Sequence, residues 1–333
     1  MASAGVRIGV VGATGALGGE VLAALSASPL PVREIVPIAT ERSLGRDVEF
    51  QGEVYPVETD GPSLRGLDLV FLCAPAAQSL EFVREALRAE VACIDLSGAT
   101  AGSPEVPLGV AEFGVEPEAA RAPVVATPTG PALAWALVLR PLDERARLGR
   151  VTGTSVEGAS VAGREGIESL YVESLALFNH TEAPEAEVFS APVAFDCLPA
   201  VGPIGEDGHS RHETLLVRTL GRLLGPRAKL GVSSVQVPTF LGHGAVLVVE
   251  TEEDLEPGEA MAVLDKASGV EVWREGGVGP STRAAAGRDA VLVGRVRRDP
   301  SRERSLLLWL AADLLRLSAT NAVRLATPRL RML

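Results

Sequence analysis

Apolar positions follow two different patterns along this chain. Up to Ala126, short continuously apolar runs alternate with stretches whose apolar residues recur at helical spacing. Val6–Val11, Ile35–Ala39, Leu69–Cys73, Ala92–Leu96 and Val124–Ala126 read as strands, and Leu17–Leu25 and Ser79–Leu87 as helices. Repeated strand–helix–strand units, with strands apolar on both faces, predict a parallel doubly wound sheet.

The pattern changes at Pro128. A helix over Pro131–Leu139 precedes a strand at Arg150–Ser155, and a glycine-rich stretch, Gly158–Gly166, leads into a helix from Ile167. Lys229–Pro238, Ala245–Thr251 and Ala290–Arg297 then read as longer strands with antiparallel character. Leu306 through Val323 reads as an apolar helix of about five turns that packs back on the first domain. The expected organisation is a first domain over 1–127, completed by a C-terminal helix over about 312–333, and a second α+β domain with a mixed sheet over 128–311.

Composition narrows the function more than the fold. A chain of 333 residues exceeds what a single core usually holds. The net charge of −12 argues against nucleic acid or an anionic membrane as the main partner. No apolar run approaches the ~20 residues of a membrane span, and the N-terminus shows no charged-then-apolar leader pattern. Cys73, Cys93 and Cys197 match no zinc or CxxC spacing, so no metal site is expected. They read as reduced, core-packed thiols of a cytoplasmic protein.

One motif carries chemistry. Gly12-Ala13-Thr14-Gly15-Ala16-Leu17-Gly18 follows the first strand directly and opens the first helix. Glycines there allow a tight turn and close backbone approach, while the helix N-terminus presents free N–H groups to a pyrophosphate. The first domain is therefore expected to be Rossmann-like and to bind a nicotinamide dinucleotide. After the second strand, Thr40, Arg42 and Ser43 favour the 2′-phosphate of NADP(H). Glu41 suits a ribose hydroxyl instead and keeps NAD open as the alternative.

The opening GATGALG, Arg42-Ser43-Leu44-Gly45, Ile94–Ala99 and Pro107–Val110 together resemble the aspartate-semialdehyde dehydrogenase family. So do Ser155–Gly166, Ala194–Pro199, Val237-Pro238 with Gly242-His243, Gly294–Pro300 and Asn321–Val323, in order along nearly the whole chain. The resemblance implies a two-domain homodimer interconverting an acyl phosphate and a semialdehyde with NADP(H). That chemistry needs a thiolate nucleophile, an acid-base histidine and cations for the substrate's anionic groups.

Residue by residue, the resemblance implies a divergent member. Gly130, within Thr127-Pro128-Thr129-Gly130-Pro131, stands at the nucleophile position, and the adjacent Thr129 is a poor substitute. Ala134 falls where the family has a substrate-positioning glutamine, Gln236 on its carboxylate-binding arginine, and Ala101 on or about its phosphate-side arginine. On the helix beginning near Ser210, His212 and Leu215 fall on a Glu and a Lys, with Arg211 and Glu213 as one-residue alternatives. His243 is retained as the acid-base candidate. The expected function is an NADP(H)-binding homologue without the ancestral reaction, acting as a sensor, regulator or partner subunit. Two alternatives stand beside it: a carbonyl oxidoreductase using His243 for proton transfer, and a dehydrogenase using an unforeseen nucleophile.

Overall fold

The computed structural model describes residues 5–59, 63–114, 121–182, 185–275 and 277–330. The chain divides into two compact units, one drawn from residues up to Leu133 and from Ser318 onward, the other from Ala134 to Leu317. Both divisions fall inside helices, so the first lies beyond Pro128 and the second beyond the expected start near 312.

The first unit begins with β1 (Val6–Val11), α1 (Ala16–Ser26) and β2 (Val32–Ile38). A small antiparallel hairpin follows, β3 (Asp47–Phe50) and β4 (Glu53–Pro56), then β5 (Leu69–Leu72), α2 (Ala76–Ala89), β6 (Ala92–Asp95) and β7 (Val124–Ala126). The main sheet has the order β2-β1-β5-β6-β7, and every pairing is parallel. Its strands are apolar on both faces because both are covered. Ile8, Val10 and Phe71 belong to one core cluster, and Val11, Val70 and Leu72 to the other. The strand order reverses direction between β1 and β5, the topological switch point beside which ligands bind in such sheets.

The second unit begins inside α3 (Gly130–Ala146), whose residues Ala132–Leu139 are all buried. It continues with β8 (Leu148–Glu157), α4 (Gly163–Phe178), α5 (Arg211–Leu224), β9 (Lys229–Gln236) and β10 (His243–Thr251). Last come α6 (Pro257–Leu264), β11 (Val270–Val272), the short α7 (Thr282–Ala285), β12 (Val291–Arg298) and β13 (Ser305–Ala312). Six strands form a mixed sheet in the order β11-β12-β13-β10-β8-β9. Its β8–β9 and β11–β12 pairings are parallel and the other three antiparallel.

The apolar run from Leu306 corrects the expectation of one long helix. Ser305–Ala312 is an inner strand of the mixed sheet, and the final helix, α8, occupies Leu314–Leu330. This inner strand is apolar on both faces, although Leu307 and Trp309 are only partly buried, so its sequence shows no alternation to tell it from a buried helix. The boundary has a physical mark in Asp313, whose Oδ1 accepts from Arg316 N at 3.2 Å, as a helix N-cap does. The end of α8 then packs in the first unit's core through Ala319, Ala322, Val323, Leu325 and Ala326. There Asn321 Oδ1 accepts from Ala111 N at 2.8 Å and its Nδ2 donates to Gly109 O at 3.2 Å.

Candidate functional site

The glycine turn of the first unit is built to leave room for a ligand. Gly12 has φ +81, and a Cβ there would lie 2.8 Å from Ala74 N. The loops after β1 and β5 therefore touch backbone to backbone at the switch point. At Gly18 a Cβ would lie 2.2 Å from Gly12 O, so helix and turn could not close on each other with any other residue. Gly15 is the N-cap of α1, no side chain caps the helix, and its first turn carries no acid. Those uncapped N–H groups and the Cβ-free cradle fit a dinucleotide pyrophosphate.

Ala16 and Leu17 form the first turn of α1, and Thr14 lies in the turn before it. Thr14 Oγ1 lies 2.9 Å from Ser43 Oγ, joining the phosphate turn to the loop after β2. Ser43 is buried, whereas Thr40 and Arg42 are exposed on either side of Glu41. Further along the carboxyl edge, the fully buried Asp95 organises the loop after β6. One oxygen accepts from Ser97 N and Oγ at 2.8 and 2.5 Å, the other from Thr100 N and Oγ1 at 2.8 and 2.5 Å.

The second unit holds a buried polar cluster that sequence reasoning did not assemble. Strand register sets Gln236, Glu157 and His243 side by side on β9, β8 and β10. Glu157 Oε1 accepts from Ser155 Oγ at 2.6 Å and from His212 Nε2 at 3.2 Å, and lies 3.3 Å from His243 Nδ1. The last approach is off the line of a well-formed hydrogen bond, which makes it mainly electrostatic. Trp135 Nε1 donates to His243 Nε2 at 3.3 Å, which makes that nitrogen the acceptor and leaves the ring proton on Nδ1, toward Glu157. Burial pushes the Glu157 carboxyl up, but His243 and His212 outweigh it and hold the group well below the usual carboxylate range. Glu157 and Trp135 left no motif in the sequence. The usable signal was that two residues ending adjacent strands, Glu157 and Gln236, are polar inside apolar runs.

The other candidates are placed as follows. Gly130 is the first residue of α3, directly after the β7 loop, and Thr129 O accepts from Leu133 N at 2.9 Å, so Thr129 occupies the cap. Ala134 and Ala101 are fully buried. His212 reaches Glu157, whereas Glu213 forms the capping box of α5 with Ser210, Arg211 is exposed and Leu215 partly exposed. Of the cysteines, Cys93 is buried as expected and Cys73 packs against the core while keeping partial exposure. Cys197 is exposed, because the run around it is a loop with Phe195 at φ 61 rather than a core strand. Burial first, and then the charge of Asp95, push the Cys73 and Cys93 thiols up. Among the described residues no group of three or more His, Cys, Asp or Glu is placed to hold a metal ion, and no helix is long and apolar enough to cross a membrane.

Comparison with known proteins assigns both units. Residues 7–121 match the semialdehyde dehydrogenase NAD binding domain, and residues 139–317 the semialdehyde dehydrogenase dimerisation domain. An aspartate-semialdehyde dehydrogenase of Aquifex aeolicus is 33% identical over 330 residues, covering 97% of each chain. The chain belongs to the aspartate-semialdehyde dehydrogenase family. A Synechocystis member is 31% identical, covering 96% of each chain. The crystal structure of aspartate semialdehyde dehydrogenase II from Vibrio cholerae is 30% identical, with a TM-score of 0.92 over 98% of this chain and 99% of that one. A Candida albicans family structure with NADP, 17% identical with a TM-score of 0.72 over 98% of each chain, shares the fold. This family member thus carries a nicotinamide dinucleotide-binding domain followed by the family's dimerisation domain.

Proposed function

We propose that this family member binds NADP(H) as a homodimer and does not carry out the acyl-phosphate/semialdehyde reaction, serving instead as a sensor, regulator or partner subunit. The observation that carries the reading is Gly130, the first residue of a helix that directly follows a strand of the nucleotide-binding sheet. A helix N-terminus lowers a thiol's pKa and activates it, and at this position there is no side chain to activate. Neither Cys73 nor Cys93 substitutes, since burial disfavours their thiolates. Cys197 is exposed on a loop of the second unit. Direct reduction of a carbonyl with His243 as acid-base is the weaker reading, because its Nε2 is occupied by Trp135 and its Nδ1 faces Glu157.

When bound, the dinucleotide supplies a hydride donor or acceptor. The chain's own residues supply the cradle at Gly12 and Gly18, uncapped N–H groups at the start of α1, and a positive side chain at Arg42 beside Ser43. Preference for NADP(H) over NAD rests on Arg42, Ser43 and Thr40. Calorimetric titration should show saturable binding of NADPH, tighter than NADH. Arg42→Glu should weaken NADPH about tenfold or more while changing NADH little, as expected for loss of one charge-assisted phosphate contact. Saturation by neither nucleotide would sink the reading.

The dimer is supported by an apolar face of the second unit. Tyr171, Leu175 and Phe178 lie at i, i+4 and i+7 on α4, and all are exposed, Phe178 by 71%. Phe178 meets the exposed Phe195 edge-to-face at 5.5 Å. Light scattering should give twice the chain mass for the wild type. Phe178→Glu should shift it toward the monomer, and an unchanged dimer would remove α4 from the interface.

A further inference from the structure

The polar cluster of the second unit has acceptors left over. All three groups around the Glu157 carboxylate converge on Oε1, and no described residue donates to Oε2. Gln236, its neighbour in register, is 1% exposed; Nε2 donates to Glu157 O at 2.8 Å, while Oε1 has no partner. Thr239 Oγ1, against Gly158, is a second buried oxygen without one. Buried acceptors without donors are rare in native proteins, and each calls for a water or a ligand. The charge balance points the same way. Among the described residues the only buried arginine or lysine is Arg329, which belongs to the other unit. Among the described residues, the second unit's interior therefore holds no arginine or lysine to receive a carboxylate or phosphate, and its two histidines there, His212 and His243, already face Glu157.

We propose that the Glu157–Gln236 end of the mixed sheet is a recognition site for a primary ammonium group. Glu157 Oε2 supplies the charged acceptor and Gln236 Oε1 a neutral one. An ammonium brings only donors, so it leaves no acceptor of its own facing the carboxylate, as an amide would. The inference deepens the functional reading above, naming ligand chemistry for a chain that no longer handles a substrate anchored by its anionic groups. Polarity is inverted: position 236, where the resemblance places a carboxylate-binding arginine, here offers an unpaired oxygen.

The test uses full-length protein labelled at histidine, with ring C–H signals of His212 and His243 followed by NMR during titration. Methylammonium chloride should shift both sets of signals saturably, and sodium acetate and inorganic phosphate at matched ionic strength should not. Gln236→Met keeps the volume and removes Oε1, so it should weaken methylammonium about tenfold; Glu157→Gln should weaken it further if that variant folds. Absence of a saturable methylammonium response in the wild type, or a saturable response to phosphate or acetate, overturns the proposal. NADPH titrated into the same sample separates the two readings. Protein that binds NADPH and ignores methylammonium loses this inference alone, and protein that does the reverse keeps it and loses the nucleotide reading.

Discussion

Gly18→Ala is expected to weaken NADPH binding strongly and to destabilise the protein, although alanine is the better helix former. In most helical positions the exchange stabilises, by about 0.5–1 kcal/mol, through a smaller loss of chain entropy. At Gly18 the new Cβ would sit 2.2 Å from Gly12 O and 2.8 Å from Ala13 Cα, both backbone atoms that no rotamer change can move. Helix α1 must withdraw from the turn, which breaks the geometry holding Gly15 N on Gly12 O at 3.0 Å and displaces the uncapped N–H groups. Overpacking of this kind costs about 1–3 kcal/mol. Nucleotide affinity should fall by a larger factor, about a hundredfold, since the phosphate site is the part displaced. Gly19 is the control. It is the next residue of the same helix, it is exposed, and a Cβ there meets nothing within 4 Å. Gly19→Ala should therefore leave binding unchanged and raise the denaturation midpoint slightly. Equal behaviour of the two variants would show that the turn is not tightly closed.

The second large effect is expected at His212. Removing one partner of a fully buried carboxylate costs about 3–5 kcal/mol, because the charge stays behind. His212→Ala should reach the lower part of that range at neutral pH, as Ser155 and His243 still face Glu157 Oε1. The pH dependence distinguishes this cause from lost packing. The folded-state pKa of Glu157 is depressed. Its contribution is therefore complete above the unfolded value of about 4.3 and is lost as pH falls below it toward the folded pKa. The wild type should lose stability steeply in that acid range. His212→Ala raises the folded pKa of Glu157 by deleting one of the groups that lower it, so its pH-dependent loss starts at the same unfolded value but is smaller and is complete at a higher pH. The two curves should converge once Glu157 is protonated in both. Denaturant midpoints measured from neutral pH downward check this. A constant gap between the curves would mean that His212 acts by packing alone.

Much of the architecture was legible because local chemistry and global fold agree. β1 and β7 stand where apolar runs placed them, and the glycine turn sits between strand and helix as its spacing required. The failure at Leu306–Leu310 has a definite cause. Leucine favours helix, and an inner strand whose two faces both carry apolar residues offers no alternation in sequence to contradict it. The nucleotide turn was readable since its residues are consecutive. The second cluster was not, because Ser155 and Glu157, Gln236 and His243 come from three strands, with His212 on a helix and Trp135 on another. Only register brings them together, and register between distant segments is set by tertiary packing. Trp135 in particular reads as one more apolar residue of a buried helix until its indole N–H is seen to fix the tautomer of His243.

The central claim, that this family member keeps the nucleotide site and has lost the thiolate chemistry, is tested most directly by one assay. Purified protein is mixed with aspartate semialdehyde, inorganic phosphate and NADP, at concentrations where binding of the nucleotide has been established, and NADPH formation is followed by absorbance. The account predicts no formation above the protein-free rate, and none with Gly130→Cys either, because Gln236 and Ala101 provide no cation for the substrate's anionic groups. Turnover by the wild type that disappears when Cys73, Cys93 or Cys197 is changed to serine would contradict the account and identify the nucleophile it lacks.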